Sequence, residues 1–190
     1  MSLQTRAIPV LSDNYSWLLR DTATGCTAIV DPGEAAPIEA VLEETGGRLD
    51  LILLTHHHAD HVGGTDALRA RYNARVAGPA SEQARMPALD IPLHDKDTLA
   101  VGQSEGRVLA VPGHTLGHIS YYFADPPTLF CGIRCSVWDV GACLKARQSS
   151  FLQASSALPR CRMKPLSAAA MNILKATAPS LSTQSRTTRP

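Results

Sequence analysis

Four side chains that can bind metal ions stand within six positions of one another: His56, His58, Asp60 and His61. They follow residues 49–55, a nearly unbroken apolar run that is typical of a strand covered on both faces. Because alternate side chains of an extended segment point the same way, His56 and His58 are predicted to bind one ion. Asp60 and His61, where the loop turns, are predicted to bind a second ion.

A further candidate ligand lies downstream, after a predicted strand at 107–111. His114 stands there in the turn sequence Pro-Gly-His-Thr and is predicted to complete a three-histidine site. Imidazole and carboxylate groups suit zinc, and they also suit iron and manganese. The alternative interpretation, a polar loop with solvated histidines, applies to His57, which is expected to point away. His94 is expected to be a surface residue.

This set of ligands indicates hydrolysis. A divalent cation lowers the pKa of bound water to about 7, and a second cation can stabilise the oxyanion or the leaving group. No side-chain nucleophile is then required, and the chain contains no Gly-x-Ser-x-Gly motif. The two-histidine zinc motif His-Glu-x-x-His does not fit either, because no glutamate lies between the histidines.

The elements that must position these residues are short strands and a few helices. Strands are predicted at 6–10, 15–20, 26–31, 49–55, 74–77, 98–101, 107–111, 119–123 and 128–131, and helices at 35–45 and 66–72. The mixture predicts an α/β fold in which helices cover sheets. From residue 133 the sequence has no sustained period and is rich in Ser, Thr, Ala and Arg. We therefore predict a domain at 1–132 and an irregular or disordered tail at 133–190.

Composition limits the remaining possibilities. A chain of 190 residues with 44% hydrophobic residues is expected to form one globular unit. Five cysteines without Cys-x-x-Cys spacing indicate free thiols. No stretch approaches the roughly 18 apolar residues of a membrane helix, and no signal segment opens the chain. A cytoplasmic protein without a membrane partner is therefore expected, and a monomer is the expected state.

Charge is distributed unevenly along the chain. Residues 1–132 hold nine Lys and Arg against sixteen Asp and Glu, whereas residues 133–190 hold nine against one. A basic tail ordinarily suggests nucleic acid or lipid as a partner. This tail lacks interleaved aromatic residues and any recognisable nucleic-acid module, so neither partner is expected. The expected partner is a small-molecule substrate.

Several separate motifs resemble the metallo-β-lactamase superfamily, and within it the bacterial glyoxalase II branch, the hydroxyacylglutathione hydrolases. The motifs are THHHADH at 55–61, SDNYSW at 12–17, VDPGEA at 30–35 and GHTLGHISYY at 113–122. The resemblance covers about residues 5–132. It implies an αββα sandwich, incomplete in this chain, with the metals at one edge of the two sheets.

The resemblance also implies roles for residues. His56, His58 and His114 would hold the first metal, and Asp60 and His61 the second, with two zinc ions expected in the family. His118 and Asp31 are expected to hold the ligands in place, although direct binding by His118 stays open. The implied reaction converts S-lactoylglutathione and water into glutathione and D-lactate.

After Gly132 the sequence departs from the family pattern. The family continues Gly-Asp-Thr-Leu-Phe, whose aspartate bridges the metals, and later has Cys-Gly-His-Glu-Tyr, whereas no histidine follows His118 here. We hypothesise a single-base deletion near Ile133. Possible codons for residues 132–136 are GGC ATA CGC TGT TCA, and one G inserted after the first gives GGC GAT ACG CTG TTC, which encodes Gly-Asp-Thr-Leu-Phe. Translating the residues around 138–146 and 167–173 in the same shifted frame also gives sequences that resemble family motifs.

This hypothesis has consequences for function. A chain without the bridging carboxylate and the later histidine is expected to bind at most one metal and to be nearly inactive. Two functional classes therefore stand side by side: a glutathione thioester hydrolase and a catalytically dead metal-binding fragment. An iron-dependent persulfide dioxygenase of the same fold is a more distant alternative.

Overall fold

The computed structural model describes residues 3–132, and the predictions for the tail at 133–190 lie outside them. Ten strands in the described part form two sheets. The strands are β1 (Leu3–Val10), β2 (Asn14–Asp21), β3 (Thr27–Val30), β4 (Leu51–Leu53), β5 (Arg75–Pro79), β6 (Ile91–Leu93), β7 (Thr98–Val101), β8 (Ser104–Ala110), β9 (Ile119–Ala124) and β10 (Pro127–Phe130). The helices are α1 (Ala36–Glu44), α2 (Ala59–Val62) and α3 (Thr65–Tyr72), with a 3-10 helix at Ala80–Arg85.

The first sheet is mixed and has the order β1-β2-β3-β4-β5-β6. Its first three strands pair antiparallel, whereas β3 to β6 pair parallel. The connection from β3 to β4 runs through α1, and that from β4 to β5 runs through α2 and α3. Parallel neighbours require such crossovers, so their strand ends and the loops that follow lie at the same edge of the sheet.

Two apolar cores lie on opposite faces of this sheet. On β4, Leu51 and Leu53 pack into the core between the sheets, while Ile52 packs into the core beneath the helices. Ile38 of α1 and Leu68 of α3 belong to the second core and are fully buried. A central strand covered on both faces has no polar side, which explains the apolar run of residues 49–55.

The second sheet is antiparallel, with the order β10-β9-β8-β7. Val108, Tyr121 and Phe123 of this sheet belong to the core between the sheets and are buried. Tyr121 also donates a hydrogen bond from its hydroxyl to the carbonyl oxygen of Leu54, at 2.7 Å. This bond joins the second sheet to the chain just after β4, which leads into the first histidines.

The predicted α/β sandwich is confirmed for the part of the chain that the structure describes. One helical layer and two sheets are present there, which gives three layers of the expected αββα order. The predicted strand at 98–101 agrees with β7, and most other boundaries differ by one to three residues. The sequence did not predict α2, the 3-10 helix or β6. No helix among residues 3–132 has the length and hydropathy to cross a membrane.

Candidate metal centre

The candidate ligands gather at one edge of the first sheet, where β3 and β4 end. Asp31 directly follows β3, and His56 comes three residues after β4. His61 lies within α2, and His114 lies in the loop between β8 and β9. The paired strands are rigid supports, and loops that follow strand ends commonly carry functional groups.

The structure brings His56, His58 and His114 together in one cluster. One nitrogen of each residue lies within 4.8 Å of the others. Nδ1 of His58 and Nε2 of His114 are 2.8 Å apart, and both rings stand edge to face against His56 at centroid distances of 4.9 Å. His56 is fully buried whereas His114 is exposed, so the cluster extends from the interior to the solvent.

A chain of hydrogen bonds orients His56. The carboxylate of Asp31 can only accept, so the hydroxyl of Thr55 donates to its Oδ2 at 2.7 Å. The single proton of that hydroxyl is thereby used, and Nδ1–H of His56 donates to the Thr55 oxygen at 2.9 Å. Nε2 of His56 then carries a lone pair. This atom is buried and has no hydrogen-bond partner among the described residues.

An unpartnered buried nitrogen is rare and requires an explanation. The lone pair of His56 stands beside His58 and His114, which contribute further imidazole nitrogens. Three imidazoles are a common ligand set for zinc. The residues therefore fit a divalent cation, which would satisfy Nε2 of His56.

Asp60 and His61 form a second pair of candidate ligands. Nδ1 of His61 donates to Oδ2 of Asp31 at 3.1 Å, and its Nε2 lies 3.4 Å from Oδ2 of Asp60. Asn14 donates from Nδ2 to the same Asp60 oxygen at 2.8 Å. Nε2 of His61 faces Asp60 and is not bonded to Asp31. It is therefore the nitrogen with which His61 could bind an ion together with Asp60.

Asp31 holds both parts of the site. Besides Thr55 Oγ1 and His61 Nδ1, its carboxylate accepts the backbone N–H of Thr55 at 2.8 Å. Asp31 is buried and lies close enough to His56 and His61 to be a possible ligand itself. Three of its roughly four acceptor positions are used by these donors, which favours the predicted role of Asp31 in holding the ligands.

The electrostatic environment keeps His56 and His114 neutral. Burial lowers the pKa of His56 to about 2, assisted by the neighbouring imidazoles of His61, His118, His114 and His58. Burial and the nearby His58 also lower the pKa of His114. Neutral imidazoles offer lone pairs, so both residues are available to a cation at neutral pH.

The surroundings of Asp60 and His61 instead favour the charged forms of both side chains. Burial opposes protonation of His61, but its hydrogen bond to Asp31 and the charges of Asp31 and Asp60 outweigh burial and raise its pKa. Burial also opposes ionisation of Asp60, yet the hydrogen bond from Asn14 and the nearby His61 lower its pKa. The ionised carboxylate of Asp60 is already suited to a cation, whereas His61 would have to give up a proton before its imidazole could bind one.

Of the other three histidines, His118 and His57 lie next to the cluster. His118 donates from Nε2 to the carbonyl oxygen of Cys131 at 2.9 Å, and its ring stacks on His56 at a centroid distance of 4.7 Å. His118 therefore packs against the candidate ligand His56, and Nε2 of His118 is already engaged in a hydrogen bond. His57 is turned to Glu82, with Nδ1 2.7 Å from Oε2, and His94 is exposed beside Asp97.

Three residues of the site were missed by the sequence analysis: Asn14, Thr55 and Glu82. Thr55 directly precedes His56, so the hydroxyl next to the first histidine was a local signal. Asn14 belongs to the motif SDNYSW, whose residue types do not by themselves indicate a contact with Asp60. Glu82 gave no signal, because its 3-10 helix has no apolar periodicity and its partners are 25 and 35 residues away.

Fold and site together define a class of protein. A model of the metallo-beta-lactamase superfamily matches residues 11–132, which is more than half of the chain. The chain belongs to the metallo-beta-lactamase superfamily, as the sequence motifs predicted.

Curated relatives are more specific. The chain is 52% identical over 132 residues to a hydroxyacylglutathione hydrolase of Cereibacter sphaeroides, covering 70% of this chain and 52% of that protein. A hydroxyacylglutathione hydrolase of Ectopseudomonas mendocina is 50% identical over 131 residues, covering 68% of this chain and 50% of that protein. The predicted resemblance is confirmed, and the chain spans about half the length of the curated relatives it matches.

Solved structures share the fold. ETHE1 from Myxococcus xanthus is 30% identical with a TM-score of 0.57, and the match covers 66% of this chain and 55% of that chain. A metallo-beta-lactamase from Staphylococcus aureus has a TM-score of 0.64 at 22% identity, covering 84% of this chain and 54% of that chain. The second likeness concerns the fold alone.

Proposed function

We propose that this chain carries the metal centre of a thioester hydrolase that acts on glutathione thioesters. In this proposal His56, His58 and His114 bind one divalent ion, and Asp60 and His61 are the remaining ligands of a second site, which this chain is expected to fill only weakly. The observation that supports it most strongly is the buried, unpartnered Nε2 of His56 beside the nitrogens of two other histidines. Zinc is the proposed metal, and iron or manganese suits the same ligand types.

The residues of the site would divide the work as follows. When bound, the cation supplies Lewis acidity that makes water a nucleophile near neutral pH. Asp31 and Thr55 hold His56 with Nε2 directed to the cation, and Asp31 holds His61 in the same way. The exposed side of the cluster, at His114 and Asp60, is where a thioester carbonyl would approach.

The proposed substrate is S-lactoylglutathione, with glutathione and D-lactate as products. Support comes from relatives at 45–52% identity that are named hydroxyacylglutathione hydrolase. A metal-binding chain without turnover is the second candidate. It is favoured by the departure from the family pattern after Gly132.

The test uses the purified full chain and two histidine variants. We expect His56→Ala to lose bound zinc, measured by elemental analysis, because it removes the buried ligand. His94→Ala, which changes an exposed histidine beside Asp97, is the matched control and should keep the metal. Equal zinc content in both variants would contradict the proposed centre.

Hydrolysis of S-lactoylglutathione separates the two candidate functions. Turnover on the order of 1 per second or faster by the zinc-loaded chain supports the hydrolase. A chain that binds zinc through His56 but shows no turnover above the His56→Ala background is the metal-binding protein of the second candidate. Restoring one base after the codon of Gly132 and repeating both measurements tests the hypothesis of the altered reading frame.

A further inference from the structure

Glu82 is a buried acid outside the proposed ligand set. It lies on the 3-10 helix Ala80–Arg85 that follows β5, and only 5% of its surface is exposed. Glutamate is almost never buried to this degree unless its charge is paired or hydrogen-bonded. The partners that it has therefore indicate why it is there.

The two carboxylate oxygens of Glu82 bind different loops. Oε2 accepts the backbone N–H of His57 at 3.1 Å and lies 2.7 Å from Nδ1 of the same residue. Oε1 accepts the backbone N–H of Gly117 at 2.9 Å. His57 stands between His56 and His58, and Gly117 comes three residues after His114. One side chain thus connects the two loops that carry the three-histidine cluster.

Gly117 allows this close approach. A Cβ atom at this position would lie 2.5 Å from Cγ of Glu82 and would also collide with the side chain of Ser81. Real Cβ contacts are essentially never this short. Any larger residue at 117 would have to displace the side chains of Glu82 and Ser81, so glycine favours the close approach of the His114 loop to the carboxylate.

We propose that Glu82 is a positioning residue of the metal centre. By binding residues 57 and 117 at once, its carboxylate fixes the separation of the two loops, so that the nitrogens of His58 and His114 meet. The inference rests on the proposed metal site but does not require that the chain hydrolyses a thioester. It also gives His57 a function, because its side chain binds the carboxylate instead of a metal.

The experiment compares Glu82→Ala and Glu82→Gln with wild type and with Asp21→Asn in the full chain. Asp21 is a matched control because it too is a buried carboxylate that joins two segments, accepting Thr24 N–H at 2.9 Å and Ser104 Oγ at 2.8 Å. Asp21 and Asn14 stand at opposite ends of β2. From the rise per residue of a strand, Asp21 is roughly 20 Å from Asn14, which contacts the candidate ligand Asp60.

Zinc affinity is measured by competition with a chromophoric chelator, cobalt coordination by visible absorption, and folding of the metal-free chain by circular dichroism. We expect Glu82→Ala to weaken zinc binding on the order of 10-fold to 100-fold and to change the cobalt spectrum. Glu82→Gln keeps one acceptor oxygen and should lose less. Asp21→Asn should lower the unfolding temperature but leave zinc affinity within about twofold of wild type.

The outcomes distinguish this inference from the proposed function. A wild-type chain that binds neither zinc nor cobalt overturns the metal centre itself. Metal binding by wild type together with unchanged affinity in both Glu82 variants overturns only the positioning role. Should Glu82→Ala fail to fold, Glu82→Gln decides the question, since wild-type affinity and spectrum in that variant contradict the inference.

Discussion

Replacing Thr55 with valine tests the hydrogen-bond chain that orients His56. The substitution keeps the branched shape of the side chain but removes the hydroxyl. The hydrogen bond to Asp31 at 2.7 Å and the one from His56 Nδ1 at 2.9 Å are lost together. The backbone bond from Thr55 N–H to Asp31 remains available, so the loop is not released completely.

The size of the effect follows from burial. Nδ1–H of His56 is left without an acceptor in a fully buried position, and Asp31 loses one of its donors. A buried donor without a partner costs about 1–3 kcal/mol, and a hydrogen bond to a charged group contributes about 1.5–3 kcal/mol. Because the two losses overlap, we expect a decrease of about 2–4 kcal/mol in the free energy of unfolding. Zinc affinity should fall on the order of 10-fold to 100-fold.

The assay combines urea unfolding of the metal-free chain with zinc competition. Thr65→Val is the control, because Thr65 is also fully buried but its hydroxyl has no hydrogen-bond partner among residues 3–132. Its replacement should be nearly neutral in both measurements, since no hydrogen bond is lost. If Thr55→Val kept wild-type zinc affinity, the argument that Thr55 orients His56 would be refuted.

Three other substitutions test the fold, both near the site and away from it. Ile52→Ala should lower the free energy of unfolding by about 2–5 kcal/mol in urea titrations, because Ile52 is fully buried beneath the helices. Gly33→Ala should weaken zinc binding in chelator competition, because its Cβ would collide with the carbonyl oxygen of Asp60. The hydrogen bond from Ser104, with those from Thr24 and Gln103, outweighs burial and lowers the pKa of Asp21 from 3.8 to about 2. This stabilisation is present above pH 3.8 and lost as the pH falls toward 2, so Asp21→Asn should flatten the pH dependence of unfolding in that range.

Much of the fold was predictable from local patterns. The apolar run before His56 indicated a strand buried on both faces, and the structure gives β4 two cores. The elements that were missed are short or irregular. The helix α2 has four residues, too few for a helical period to be recognised, and β6 has three residues with Pro92 in the middle.

The candidate ligands were predictable because their chemistry is local. His56, His58, Asp60 and His61 are close in sequence, and the end of β4 places them in the loop and the short helix α2 that follow it. The residues that orient them are different, since Glu82 acts between segments that are distant in sequence. A contact of that kind depends on how the chain packs, so a single sequence gives no spacing from which to infer it.

The most direct test of the account is the anomalous diffraction of a crystal of the full chain grown with zinc. We expect a zinc peak at about 2.0–2.1 Å from one nitrogen each of His56, His58 and His114. That nitrogen should be Nε2 in His56, whose other nitrogen is bonded to Thr55. Well-ordered histidines with no anomalous peak among them would contradict the central claim.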